Sequence, residues 1–503
     1  MNRREFLAAV TAVSVQQTVV IQRDELIPVT LIRQPYIQNT RQDGTSILWA
    51  ARDPADGVIA YTSDGPNFKS VQAGVRIFSP TETGGLPQFT QFRADLTGLT
   101  PGTNYFYQLY IDSQFVTQGR FRTAGDGPFS FLVFGDTGQL TLNQQFIAGR
   151  LSGESSSFLM HVGDIAYFSG SYREFQTNHF DVYKDIFPLL PYFPCPGNHE
   201  YVTPGAAPYI AQHAVPTQNV PVQDRGRYYS FDWSNVHFIC LDSNDSLERA
   251  ARGEGEMLRW LENDLRATRK FWRVAAFHHP PYAGGFNQND PLSSLARQHI
   301  VPILEAYGVQ LVLNGHEHSY QRSHDIRRGA STPAGTGTLY LTSGGGGAAL
   351  YPVTSHPLIA FGSSTYHYLR IDVSGTAMVI AAIGVDGAAI DRFVLRPQPA
   401  LTEASGAPLV ANGVNNPAVS LIRSGSRTLI RIRGRSLAAE EYFVGRVPGP
   451  TELAGTSVTA NGRLVPLIYV SSTQIWGQLP PDIPVPFLLS VVNANGSVQT
   501  SVD

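Results

Sequence analysis

Six short apolar runs constrain this chain more than any other feature. They read FSFLVFGD, SFLMHVGD, LLPYFPCPGNHE, VHFICLDS, WRVAAFHHP and VQLVLNGHEH, in that order between residues 129 and 318. Each is a continuous apolar stretch that stops at a polar or histidine-bearing end. Continuous apolar runs are the pattern of strands buried on both faces. Two longer stretches, GEMLRWLENDLRATRK (255–270) and LSSLARQHIVPILEAYG (292–308), carry apolar residues at i, i+3 and i+4 and read as amphipathic helices. Buried strands with helical crossovers predict a layered α/β domain over residues 128–396, a β-sandwich with flanking helices.

The flanks read differently. A chain of 503 residues holds about three domains. Residues 28–124 show short alternating runs such as TSILWAA and RFRTA between turn clusters such as RQDG and TPGTN, so an all-β sandwich is expected. Within it, LTGLTPGTNYFYQLYI (96–111) resembles the corner of a fibronectin-type-III sandwich. Tyr105 is then a corner tyrosine whose hydroxyl bonds back to the chain. After a Pro/Ala/Ser-rich linker (397–408), residues 409–503 return to period-two strands with NG and RG turns. That tail resembles the Ig-like modules of secreted bacterial proteins. It shows no cluster of ligands, and its expected partners are a surface or a spacer.

The first residues, MNRREFLAAVTAVSVQQ, place Arg3-Arg4 before a short apolar run and resemble a twin-arginine export signal. The plain alternative is a frayed, mildly apolar terminus. On the first reading, residues 1–27 stand outside the fold and the protein is exported, periplasmic or extracellular. No other apolar run is long enough to span a membrane. A formal charge of −3 gives no electrostatic case for a nucleic-acid partner. Cys195 and Cys240 both lie in apolar contexts and read as buried free thiols.

Chemistry gathers at the ends of the central runs. FGDTG offers Asp136, and GDIAY offers Asp164 and Tyr167. GNHE offers Asn198 and His199, FHHPPY offers His278 and His279, and GHEHSY offers His316 and His318. Open α/β sheets bind ligands at the carboxyl ends of their strands. One Gly-Asp alone is a turn, and one histidine within a strand is a core residue, which is the reading for His161 and His237. Five such ends in order point to a site. TSGGGG (342–347) fits either a close backbone approach to that site or a flexible loop.

This ordered set resembles the calcineurin-like metallophosphoesterases, and within them the purple acid phosphatases. Their order is GDxG, GDxxY, GNH[ED], a histidine before x-P, and GHxHxY. The segment PYIQNTRQDGTSILWAAR (35–52) also resembles the start of that family's N-terminal domain, so the resemblance covers residues 30–396. It implies a binuclear metal centre that hydrolyses phosphate monoesters, with metal-bound hydroxide as nucleophile. Asp164 would bridge the two metals. Asp136, Tyr167 and His318 would hold the first, and Asn198, His278 and His316 the second.

Most calcineurin-like phosphoesterases carry Asp-x-His at the first motif, but here that position is Gly138. Tyr167 is expected to take the missing ligand's place. A phenol with a pKa of about 10 ligates as phenolate only to a strongly Lewis-acidic ion. The resemblance therefore implies Fe(III) beside a divalent partner (Fe, Zn or Mn). Reading Tyr167 as packing would leave the first metal one ligand short. His199 is expected to contact substrate from outside the metal shell. Several family members carry a histidine pair to protonate the leaving group, where this chain has Asn287 and Gln288. His279 is then the nearest candidate acid in sequence, water or the metal could serve for good leaving groups, and a narrower substrate range or a preference for activated esters is expected. A phosphodiesterase or nucleotide hydrolase on the same centre is the alternative reading. A non-enzymatic surface binding protein is a third, opposed by the complete set of ligand positions.

Overall fold

A computed structural model describes residues 30–52, 56–401, 418–424, 427–444 and 448–502. The expected export signal, and residues 402–408 of the expected linker, lie outside the described residues.

All six apolar runs are strands: Phe129–Phe134, Phe158–His161, Tyr192–Pro194, Val236–Cys240, Trp272–Ala276 and Leu311–Asn314. They divide between two sheets. In the first, Tyr192–Pro194, Phe158–His161 and Phe129–Phe134 run parallel, and His367–Ser374, Ala377–Gly384 and Ala389–Leu395 extend it antiparallel. In the second, Val236–Cys240, Trp272–Ala276, Leu311–Asn314 and Leu339–Ser343 run parallel in that order. Tyr229–Trp233 closes one edge, and Tyr320–Ser323 and Ile359–Ser363 the other.

The two-residue period of a strand decides which layer each side chain joins. Phe131, Val133, Phe158 and Met160 of the first sheet share one buried cluster with Phe238, Cys240, Val274 and Leu313 of the second. Their neighbours point the other way. Leu132, Phe134 and Leu159 pack with Ile147 and Leu151 of the helix Leu142–Gly153. Ile239, Ala275 and Val312 pack with Met257, Leu261, Ile300 and Leu304. The strands formed by the six apolar runs are thus covered on both faces, and for that reason they show no polar alternation, unlike edge strands such as Ile359–Ser363 and Ala389–Leu395.

The two amphipathic stretches are helical, with one difference. Met257–Ala267 is a regular helix that buries Met257, Trp260, Leu261 and Leu265. The second stretch is α-helical over Pro291–Leu295 and Val301–Ala306, but passes through a π-turn at Ala296–Ile300. Pro302 accounts for the turn. Its nitrogen has no hydrogen to donate back along the helix, and its ring crowds the carbonyl one turn earlier.

The N-terminal part is an antiparallel sandwich of two four-stranded sheets over a core that includes Trp49, Ile59, Phe92 and Tyr107. The Tyr105 hydroxyl accepts a hydrogen bond from the Thr100 amide at 2.9 Å, as a corner tyrosine should. This sandwich is seated on the central domain. Tyr107 donates to the Pro188 carbonyl at 3.0 Å, and the buried Arg33 guanidinium lies 3.8 Å over the Phe180 ring. The described C-terminal strands enclose their own core around Ile430, Ile432, Val458 and Val491. They touch the central domain through Ser472, whose hydroxyl donates to the Lys270 carbonyl at 3.0 Å. A cleft of about 1300 Å³ opens where the three parts meet, lined by Arg41, Asp126, Lys270 and Glu441 among others.

Both in-strand histidines are structural. His161 Nε2 lies 2.9 Å from Thr137 Oγ1 beneath the sheet edge. His237 is clamped between Asp232 at 2.7 Å and Asp264 at 2.8 Å. Burial alone would lower its pKa, but the two carboxylates push it up to about 9. Its stabilising contribution is therefore complete below its unfolded pKa of about 6.5 and is lost as pH rises through the folded value. His237→Gln should cost about 2 kcal/mol at pH 6 and much less at pH 10, as read by urea unfolding at the two pH values. An equal loss at both would contradict the clamp.

Candidate metal centre

The site stands at the carboxyl ends of the parallel strands, where the chain turns sharply. Asp136, Asp164 and His316 all adopt left-handed backbone, with φ of 57°, 54° and 68°. Such conformations are costly for residues with a Cβ and collect at functional sites. Two buried glutamates hold the turns in place. Glu200 accepts hydrogen bonds from the amides of Asp164, Ile165, Ala166 and Gly197, at 2.7 to 3.1 Å. One carboxylate thereby ties the GDIAY loop to the GNHE loop. Burial and the nearby Asp164 charge push its pKa up to about 7. Glu317, between the two histidines of GHEH, accepts from the amides of Phe286 and Asn287 at 2.9 and 2.7 Å.

All seven expected ligands converge, in two groups that share one oxygen. In the first group the Tyr167 hydroxyl lies 2.8 Å from Asp164 Oδ2, 3.0 Å from His318 Nε2 and 3.4 Å from Asp136 Oδ1. His318 Nε2 is 3.4 Å from Asp136 Oδ1. In the second, Asn198 Oδ1 lies 3.1 Å from His278 Nε2 and 3.1 Å from His316 Nδ1. His278 Nε2 is 3.3 Å from Asp164 Oδ2, the same oxygen that faces Tyr167.

The donor chemistry fits cations. His278 Nδ1 bonds to the Val162 carbonyl at 2.9 Å, and His318 Nδ1 to the Ala349 carbonyl at 2.7 Å. A carbonyl only accepts, so each Nδ1 carries a proton and each neutral ring aims the Nε2 lone pair inward. Those lone pairs meet carboxylate oxygens and an amide oxygen, which are also acceptors. Asp136 and Asp164 are 0% and 1% exposed, and among the described residues their ion-pair partners are all histidines. Without a metal the histidines take up the charge. Burial would lower the pKa of His278, but Asp164 pushes it up to about 10, and Asp136 likewise raises His318 against burial. Burial opposes ionisation of Asp164, yet His278 draws its carboxyl well below the ordinary range. Burial and then the Asp164 and Asp136 charges hold the Tyr167 phenol well above its ordinary value.

Gly138 has a steric role here. A Cβ added at Gly138 would lie 2.2 Å from the Ile165 carbonyl oxygen, so the GDIAY loop occupies the room a side chain would need. The Tyr167 amide donates to the Gly138 carbonyl at 3.0 Å, which fixes the tyrosine over that position. The glycine run after Ser343 makes a close approach rather than a free loop. It is buried, and its amides at Gly344 and Gly346 donate to Ser319 and Gly135.

His199 and His279 are placed differently. His199 Nδ1 bonds to the Phe168 carbonyl at 2.7 Å, its ring packs tilted by 46° against Tyr167 with centroids 4.1 Å apart, and its Nε2 faces Asp164 at 3.8 Å. Its side chain is 26% exposed, so it borders both the cluster and solvent. His279 is 1% exposed and sits behind His316, with Nδ1 2.8 Å from Ser243 Oγ and its ring 4.5 Å from that of His316. Asp290 joins this rear group, with Oδ2 3.6 Å from the outward Nε2 of His316. Asn287 is occupied, since its side-chain amide donates to the His316 carbonyl at 2.8 Å.

Residues 129–320 match the calcineurin-like phosphoesterase family. An uncharacterized protein of Mycobacterium tuberculosis is 29% identical over 308 residues, which cover 51% of this chain and 58% of the relative. Purple acid phosphatase 15 of Arabidopsis thaliana is 26% identical over 60% of this chain and 58% of its own length. The chain thus spans less than two thirds of these curated relatives. In fold, it is similar to the purple acid phosphatase PPD1 from yellow lupin seeds, with a TM-score of 0.62 at 18% identity over 72% of this chain and 74% of that one. Residues 129–320 are therefore a calcineurin-like phosphoesterase domain, homologous to the purple acid phosphatases.

Proposed function

We propose that the protein hydrolyses phosphate monoesters at a binuclear Fe(III)–M(II) centre. The observation that carries this reading is one carboxylate oxygen, Asp164 Oδ2, shared by two ligand groups, one of which contains a tyrosine. Asp136, Asp164, Tyr167 and His318 would hold the iron. Asp164, Asn198, His278 and His316 would hold divalent iron, zinc or manganese. Tyr167 supports iron in particular, because a phenol surrounded by two carboxylates becomes a ligand only beside a strongly Lewis-acidic ion. When bound, the two ions neutralise charge on the phosphoryl oxygens and make water a nucleophile at or below neutral pH.

The chain's own residues orient and position. Glu200 and Glu317 fix the ligand loops through backbone amides. His199, anchored by Phe168, presents Nε2 toward the phosphoryl group and is the group that contacts substrate. His279 lies too deep to reach a leaving group, so it acts through His316 as a positioning residue, together with Asp290. With Asn287 committed to the backbone, His199 is the imidazole left beside the substrate face. Esters whose leaving groups depart without a strong acid are then favoured. Export suits such a centre, and the resemblance of the Arg3-Arg4 segment to a twin-arginine signal supports it. Among the described residues no helix is long and apolar enough to cross a membrane.

Purified protein should contain two metals, one of them iron, and absorb in the visible through the iron–phenolate bond. Tyr167→Phe should lose that band and lower kcat by about 100-fold while the far-ultraviolet circular dichroism is unchanged. A colourless protein holding only divalent metal would contradict the iron assignment. Para-nitrophenyl phosphate should be turned over with kcat/KM about tenfold or more above that of its bis ester. The reverse order would make the protein a diesterase on the same centre.

A further inference from the structure

His316 has two ring nitrogens, and the cluster uses one of them. Its Nδ1 lies 3.1 Å from Asn198 Oδ1. Its Nε2 faces away from the cluster, buried and without a hydrogen-bond partner among the described residues. A metal-ligating histidine normally passes the proton of its other nitrogen to a carboxylate or a carbonyl. Here Asp290 Oδ2 stands off at 3.6 Å, beyond hydrogen-bond range. A second imidazole closes the same space. The His279 ring packs 4.5 Å from that of His316. Ser243 Oγ lies 3.1 Å from the His279 amide and 2.8 Å from its Nδ1, which leaves Nε2 free. One ligand atom each from His279, Asp290 and His316 lies within 4.8 Å of the other two.

The groups around these three atoms suit an ion better than a single hydrogen bond. Asp290 Oδ1 is committed to the amides of Leu292 and Ser293, at 2.8 and 3.1 Å, so Oδ2 is held facing the imidazoles. Ser293 Oγ beside Asp290, and Asn244 Oδ1 beside Ser243, are also buried and without partners among the described residues. Buried oxygens of this kind are ordinarily satisfied by ordered water. The Asp290 side chain is 22% exposed, which gives the pocket an opening.

We propose that His279 Nε2, Asp290 Oδ2 and His316 Nε2 form a third cation site behind the binuclear cluster, and that the ion is zinc. Two imidazoles and one carboxylate are a zinc donor set, and they leave one tetrahedral position for water. A water in that position is the kind of partner that Ser293 Oγ and Asn244 Oδ1 lack. Binding displaces a proton from the His316 ring to solvent. The ring then bridges two cations, which repel each other across it. The third ion is therefore held more weakly than the pair, leaves on dialysis and returns when zinc is added. It ties Asp290 to a ligand of the second metal. The site shares only His316 with the phosphatase reading above and adds a cation to it.

The test is zinc titration of the full-length, metal-loaded protein after dialysis, with bound metal counted by mass spectrometry. The wild type should take up one further zinc per chain. Asp290→Asn and His279→Gln should each weaken that step by at least about 100-fold, more than the loss of a supporting hydrogen bond gives, while the iron–phenolate band stays. Crystals of the wild type soaked in zinc keep the test independent of how the variants fold. A zinc-edge anomalous peak should stand between His279 Nε2, Asp290 Oδ2 and His316 Nε2. Absence of that peak, or a further zinc bound as tightly by both variants as by the wild type, would overturn the site and leave the phosphatase reading intact. A zinc peak behind His316 with no metal between Asp164 and Tyr167 would support the site and overturn the binuclear reading.

Discussion

Asp164 is the group on which the rest of the site depends. Its carboxylate is almost fully buried, and a single oxygen faces both Tyr167 and His278. A buried carboxylate is expensive unless it is paired and hydrogen-bonded. Its other oxygen accepts from the His199 amide at 3.0 Å, which leaves the shared oxygen for the cluster. The surroundings hold this arrangement rather than relieve it. Left-handed backbone at Asp164, and Glu200 collecting amides from both sides, keep the carboxylate in the centre.

The same logic runs through the imidazoles. Backbone carbonyls at Val162 and Ala349 fix one nitrogen of His278 and of His318, so the other nitrogen of each points at acceptors. A cluster of acceptors facing acceptors is stable only with positive charge between them. Protons supply it in part, as the raised pKa values of His278 and His318 show. Metal ions satisfy the oxygens and nitrogens together. The two face-packed sheets make this possible, because strands buried on both faces form a rigid platform whose edge can carry strained loops.

Much of this was legible in the residues themselves. Continuous apolar runs marked the strands because those strands are covered on both sides, and the polar ends of the runs marked the residues that gather in the buried cluster, because strand ends are where the chain leaves the sheet. Gly138 and Tyr167 could be paired from sequence, and in the structure the Tyr167 amide donates to the Gly138 carbonyl, while a Cβ at Gly138 would meet the Ile165 carbonyl. The supporting residues were harder to see. Glu200 and Glu317 act through backbone amides, and an amide leaves no mark in a sequence. Asp290 meets His316 across 26 residues of chain, with nothing local to signal it. The π-turn follows from Pro302, a residue whose effect on the helix could have been foreseen. His279 shows the limit of adjacency, since neighbouring residues at the end of a strand point apart and only His278 reaches the cluster.

The central claim is that Asp164 lies between two metals and that Tyr167 binds one of them as iron. Anomalous diffraction from crystals of the purified protein, recorded on both sides of the iron edge, tests it most directly. The account predicts two peaks flanking Asp164 Oδ2, with the peak beside Tyr167 Oη losing its signal below the iron edge. A single peak, or a peak beside Tyr167 that is indifferent to that edge, would contradict it.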